Sequence, residues 1–213
     1  MQQNNFGWFS ILRLGLVQMA LGAIVVLTTS TLNRVMVVEL ALPALVPGLL
    51  VAIHYAVQIT RPRMGFGSDR SGRCTPWILG GMAVLAAGGT LAAVATAWMA
   101  TQREAGLALA AFAFLLVGLG VSACGTSVLV LLAKRVAAQR RAPAATIVWM
   151  MMIIGFAVTA GLAGRWLDPY TPQRLVAVSG GVAAIACLVA LVALWRLEGE
   201  GGIAEGAAVD AEP

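Results

Sequence analysis

Residues 65–74 read Gly65-Phe-Gly-Ser-Asp69-Arg70-Ser-Gly72-Arg73-Cys74, a short polar stretch set between two long apolar runs. The offsets G-x-x-x-D-R-x-G-R place turn-forming glycines, one acid and two arginines in a fixed order. Glycine permits a tight backbone turn where a side chain would clash, so Gly65 and Gly72 are expected in a connection rather than in a span. Asp69 is expected at the positive N-terminal end of the helix that follows. Arg70 and Arg73 suit the headgroup layer on the cytoplasmic side of a membrane. A solvated basic loop with no further role is the alternative reading of the same residues.

The flanks of this stretch decide the class. Hydrophobic residues make up 60% of the 213-residue chain, charged residues only 11%, and the mean hydropathy is +0.90. A soluble domain of this size has no interior large enough for so much apolar surface, so the chain is expected to be an integral membrane protein. Six runs have about the 20 residues that a helix needs to cross a hydrocarbon core. They lie near 12–32, 40–60, 76–98, 106–132, 144–164 and 174–196. Each run is continuously apolar instead of alternating, which argues for helices over barrel strands. The expected fold is all-α, one bundle of six transmembrane helices over 12–197. An interfacial lead-in is expected at 1–11 and a disordered acidic tail at 198–213.

Basic residues set the expected orientation. With the N-terminus inside, the inner side receives Arg13, Arg61, Arg63, Arg70, Arg73, Lys134, Arg135, Arg140, Arg141 and Arg196, while the outer side receives Arg34, Arg103, Arg165 and Arg174. Ten against four places both termini in the cytoplasm. The net charge of +5 belongs to these anchors, and basic residues dispersed at helix ends without interleaved aromatics do not form a nucleic-acid footprint. Phe6, Trp8 and Phe9 fit an interfacial approach to the first span, which lacks the basic flank and cleavage site of a removable signal peptide. Cys74, Cys124 and Cys187 fall on separate segments without metal-ligand spacing, so neither a disulfide nor a metal site is expected.

The expected connections are short: 33–39, 99–105 and 165–172 outside, 61–75 and 133–143 inside. Short connections force antiparallel neighbours. Gly80-Gly81, Gly88-Gly89, Gly118, Gly120, Gly155, Gly161, Gly164 and Gly180-Gly181 are expected to make smooth faces where helix backbones approach closely.

The motif at 65–73 resembles the cytoplasmic loop between the second and third helices of major facilitator proteins, and six spans would be half of that twelve-helix fold. Thr31-Leu-Asn33-Arg34-Val-Met-Val-Val-Glu39-Leu40, the segment Gln58 to Arg63, Gly118-Leu-Gly-Val-Ser122, and Arg141 to Gly155 with Trp149-Met-Met-Met152 resemble the PucC/LhaA branch of that superfamily. The resemblance covers about 12 to 197. It implies bacteriochlorophyll as cofactor and antenna and reaction-centre polypeptides as partners. It also implies a multi-pass location in the photosynthetic inner membrane of a bacterium, with a role in delivering bacteriochlorophyll to, or assembling or scaffolding, light-harvesting complexes. Two departures stand out. A path enclosed between two six-helix halves does not form from one copy of this chain. Lys134-Arg135-Val-Ala-Ala-Gln139-Arg140-Arg141 also lacks the acids expected ahead of the last arginine.

Several residues carry two readings. His54, the single histidine, lies near the middle of the second span, either as an axial ligand to a pigment magnesium or as a histidine bonded to a neighbouring helix. Tyr55 and Gln58 beside it either reach a pigment or make helix contacts. Asn33, Arg34 and Glu39 cluster at the outer end of the first span, where an Arg34–Glu39 ion pair at the interface competes with a substrate site. Gln18 is expected to bond across helices, and the hydroxyls of Thr28 to Thr31 to bond back to their own backbone. No paired intramembrane carboxylates, activated cysteine or phosphate loop is present to build an enzyme from. The missing intramembrane acid also disfavours proton-coupled transport. Half of a small-solute transporter and a structural subunit of a photosynthetic complex remain the rival functions, and self-association or a separate second half the expected means of completing the fold.

Overall fold

The computed structural model describes residues 6–199, which are helical wherever they are regular. Helix α1, Trp8–Glu39, α4, Thr75–Trp98, α5, Arg103–Arg135, and α7, Pro172–Leu194, are each long and apolar enough to cross a membrane, as is the stretch Ala138–Trp166 that contains α6, Arg141–Trp166. Helix α2, Leu45–Val57, has only 13 residues. It is about 20 Å long at 1.5 Å per residue and falls short of a roughly 30 Å hydrocarbon core. Five helices therefore meet the length and hydropathy of a span on their own. The second of the six expected crossings is made by α2 together with the helix Arg61–Arg70 that follows it, since Phe6 and Glu198 lie at one end of the bundle and five crossings would leave them at opposite ends. The crossing expected at 40–60 is broken at Leu40–Ala44, where Ala41 takes φ 48, and continues past Thr60 through a 3-10 turn, Gln58–Thr60, into α3, Arg61–Arg70.

Two expected loops are helical instead. Residues 33–39 extend α1, because Leu32, Val35 and Met36 are essentially fully buried in a core with Leu50, Phe114, Leu167 and Leu175. Burial on one side holds the helix past the polar Asn33-Arg34. Residues 61–70 form α3, opened by Pro62 in its first turn, where the missing amide costs nothing. The break between α3 and α4 falls at Gly72, whose φ of 71 is the left-handed conformation that glycine adopts readily.

Helices α4 and α5 form the tightest pair, α1 packs along α6, α7 bridges α4 and α1, and α2 rests on α5. Gly120 explains the first contact: a Cβ there would lie 2.5 Å from the amide nitrogen of Leu85. Gly155 does the same between α6 and α1, where a Cβ would meet the Met19 carbonyl oxygen at 2.5 Å. Gly80, Gly161, Gly164 and Gly181 have open space beside them, so those four do not make the close approaches expected of them. Helix α6 buries a single seam, Ala144, Val148, Met152, Gly155, Thr159 and Ala163, and leaves the rest of its surface outward, as lipid-facing helices do.

Both ends of the described stretch, at Phe6 and Glu198, lie at one end of the bundle, called proximal below. The Phe6 amide donates to the Arg135 carbonyl at 2.7 Å. Arg13 Nε donates to the Ala193 carbonyl at 2.9 Å and its Nη2 to that of Trp195. Residues 1–5 of the expected lead-in and 200–213 of the expected tail lie outside the described residues. Glu198, at the head of that tail, is 7% exposed and packed into the proximal end.

Candidate functional site

Three groups of residues were expected to carry chemistry, and they fall in three separate places. His54 is 1% exposed on α2 and faces α5, where its carbonyl oxygen lies 2.7 Å from the position a Gly118 Cβ would take. Its Nε2 lies 2.8 Å from Gln58 Nε2, one helical turn on, and its Nδ1 is buried without a partner. Tyr55, the next residue, is 61% exposed and points out of the bundle. The three are thus neighbours on one helix and not a converging site. A macrocycle needs one open face on a ring nitrogen; here one nitrogen is taken by Gln58 and the other is enclosed. The packing around His54 does not fit axial ligation of a bacteriochlorophyll.

The motif residues sit at the proximal end. Asp69 is in the last turn of α3 and pairs with Lys134 of α5 at 2.8 Å, while the Lys134 ammonium also donates to the Asp69 carbonyl at 3.1 Å. A cation at a helix C-terminus is favourable. The expected position of Asp69, at the start of the next helix, is taken by Glu198: its Oε1 accepts from the Cys74 amide at 2.6 Å and its Oε2 from that of Thr75 at 2.9 Å. Arg135 Nη2 donates to the Glu198 carbonyl at 2.8 Å. Burial, then the Glu198 carboxylate, pushes the Cys74 thiol up to about 11. Gly65 serves packing rather than a turn, with Thr126 of α5 3.1 Å from where its Cβ would be. Arg70 and Arg73 are exposed.

Arg34 and Glu39 meet at the distal end, though not as the expected ion pair: among the described residues the one ion pair is Lys134–Asp69. They line a pocket of about 400 Å³ with Ser30, Thr31, Asp168 and Tyr170. The stretch Val35–Glu39 is π-helical, with the Leu40 amide bonded five residues back to the Val35 carbonyl at 3.1 Å. In an α-helix residue i+5 stands about 140° around from residue i, so Glu39 would point away from Arg34. The wider π turn brings both to one pocket, and such turns recur at functional sites. An earlier π segment, Leu27–Thr31, is accompanied by the expected hydroxyl bonds, Thr28 to the Ile24 and Val25 carbonyls and Thr29 to that of Val25. Asn33 takes no part in the pocket, and its side-chain oxygen is buried without a partner. Asp168 and Tyr170 were absent from the expected cluster because they come from the α6–α7 connection, far off in sequence.

A fourth feature had no sequence signal. Helices α1, α6 and α7 leave an apolar groove of about 280 Å³ between them, lined among others by Leu16, Met19, Val158, Leu162, Trp166 and Val189. Gln18 crosses from α1 to the Met152 sulfur of α6 at 3.6 Å, the interhelical contact expected of it.

A bundle of long apolar helices with its basic residues gathered at helix ends defines a multi-pass integral membrane protein. The model of the PUCC protein family matches residues 31–207, which takes in every span after the first, and the chain belongs to that family. It is 54% identical over 194 residues to the bacteriochlorophyll synthase 44.5 kDa chain of Rhodobacter capsulatus, covering 91% of this chain and 45% of that protein. It is 32% identical to protein PucC of Cereibacter sphaeroides and 29% identical to protein PucC of Rhodovulum sulfidophilum, each over 88% of this chain and 44% of the relative. The chain therefore spans a little under half the length of these curated relatives. No solved structure matches.

Proposed function

We propose that this protein brings bacteriochlorophyll to light-harvesting antenna and reaction-centre complexes, or assembles and scaffolds them, in the photosynthetic inner membrane of a bacterium. The observation that carries this reading is the 54% identity to a relative whose name ties it to bacteriochlorophyll, within a family matched over most of the chain. The apolar groove between α1, α6 and α7 supports it, being suited to an apolar ligand or a partner helix. The enclosed position of His54 favours a structural role for that residue. The name of that relative also contains the word synthase. A handling role accords better with a chain that has one histidine, three cysteines on separate segments and apolar spans. Both termini face the cytoplasm, and the bundle works together with a second half, another copy or the antenna helices themselves.

Gentle purification from a phototrophic membrane followed by near-infrared absorption tests the reading. Bound bacteriochlorophyll or co-purifying antenna polypeptides are expected, as is a drop in assembled antenna, with pigment synthesis continuing, when the chain is deleted. A colourless protein without such partners, in a strain with normal antenna, would overturn it in favour of half of a solute transporter.

A further inference from the structure

The distal pocket holds charges of both signs that do not pair with each other. Arg34 makes no ion pair and no side-chain hydrogen bond among the described residues, although Glu39 and Asp168 line the same 400 Å³. Tyr170 also lines the pocket, and its hydroxyl is buried without a partner. Arg34, Glu39 and Asp168 are exposed, so water solvates them when no ligand is bound, and a ligand gains by presenting fixed charges of opposite sign. The buried Tyr170 hydroxyl is the one group there whose unmet bond costs stability. Leaving Arg34 and Glu39 apart is a specific outcome of the backbone, since the π turn brings Glu39 to the pocket but not into contact with the guanidinium. The pocket lies at the distal end of α1 beside the α6–α7 connection, where helices of spanning length are expected to reach the headgroup layer.

We propose that this pocket binds a zwitterion of the phosphoethanolamine type, its phosphate on Arg34 and its primary ammonium between Glu39 and Asp168. Guanidinium recognises phosphate through paired donors. An ammonium offers three donors, which the two carboxylates and the hydroxyl of Thr31 or Ser30 can accept. A choline headgroup would lose the N–H donors and a glycerol headgroup the positive charge, so both fit less well. The zwitterion can come from a membrane lipid or from solution, and the two sources are separable.

The test uses the whole chain, delipidated in mild detergent, with lipid retention read by native mass spectrometry and ligand stabilisation by thermal melting. Phosphatidylethanolamine is expected to be retained about tenfold or more over phosphatidylcholine and phosphatidylglycerol, and Arg34→Ala and Glu39→Gln each to remove most of that preference. If free phosphoethanolamine raises the melting temperature and displaces the lipid, the pocket serves a soluble zwitterion; if only the lipid binds, it is a headgroup site. Equal retention of all three lipids by the unaltered chain, with no stabilisation by phosphoethanolamine, overturns the proposal. So does undiminished selectivity in a folded Arg34→Ala or Glu39→Gln chain. Should Arg34→Ala not fold, the selectivity of the unaltered chain and of the near-isosteric Glu39→Gln decides. Bacteriochlorophyll and antenna partners play no part in these readouts.

Discussion

The Glu198 carboxylate accepts a hydrogen bond from the Cys74 amide at 2.6 Å across 124 positions of sequence, and with its second oxygen takes the neighbouring Thr75 amide. The first amides of a helix have no partner within the helix, so α4 begins on a borrowed acid. The same residue is held from behind by Arg135, which ties the start of α4, the end of α5 and the chain beyond α7 into one proximal cluster.

Replacing Glu198 by alanine is expected to cost about 1–2 kcal/mol, the loss of a helix cap, in detergent thermal or chemical melting. Asp69→Ala should cost less, on the order of 0–1 kcal/mol, because its pair with Lys134 is largely exposed. A larger loss for Asp69 than for Glu198 would contradict the assignment of the cap.

Cys74 should resist alkylation in the folded protein. Its thiol is pushed up to about 11, so the reactive thiolate is scarce at pH 8 and becomes abundant only as the pH approaches that value. Iodoacetamide labelling followed by peptide mass spectrometry should show slow modification that accelerates on unfolding. Rapid labelling of the native chain at pH 8 would be inconsistent with the buried, acid-flanked position.

Two glycines of α6 should respond in opposite ways. Gly155→Val drives a side chain onto the Met19 carbonyl and is expected to destabilise by about 1–3 kcal/mol, separating α6 from α1. Gly161→Ala meets nothing within 4 Å and should be neutral or slightly stabilising through helix propensity. Melting curves of the two variants side by side check the helix pairing directly, and similar losses would argue against it.

His54→Leu should leave any near-infrared band in place while changing stability modestly, because the substitution removes the contact to Gln58 and the unpartnered Nδ1 together. A band lost or shifted in a variant that still melts cooperatively would place a magnesium ligand at His54 after all.

A cytoplasm-dependent reporter joined after residue 213 is expected to be active, since ten of the fourteen basic side chains fall on the side that holds Phe6 and Glu198. A periplasmic signal would invert the bundle.

Membrane residence, helical class and the rough position of each crossing were legible in the amino-acid order, because hydropathy over some twenty residues is a local quantity that lipid enforces directly. The need for glycine where α4 meets α5 and α6 meets α1 was legible for the same reason, although which glycines met a neighbour was not: Gly155 touches Met19 and Gly161 touches nothing, and only the rotation of α6 decides between them. Asp69 had the right charge and nearly the right position to cap α4, yet Glu198 does so, because the end of α7 returns to that spot and Lys134 holds Asp69 elsewhere. His54 carried two readings in the sequence, and only the packed bundle buries it, with Gln58 against one ring nitrogen and α5 against its backbone carbonyl at Gly118. The distal pocket depended on a π turn that swings Glu39 round to Arg34 and on Asp168 and Tyr170 arriving from another connection. Local chemistry thus determined what kind of protein this is, while the caps, the enclosed histidine and the pocket were decided by long-range contacts, whose geometry depends on how whole helices are turned and set against one another.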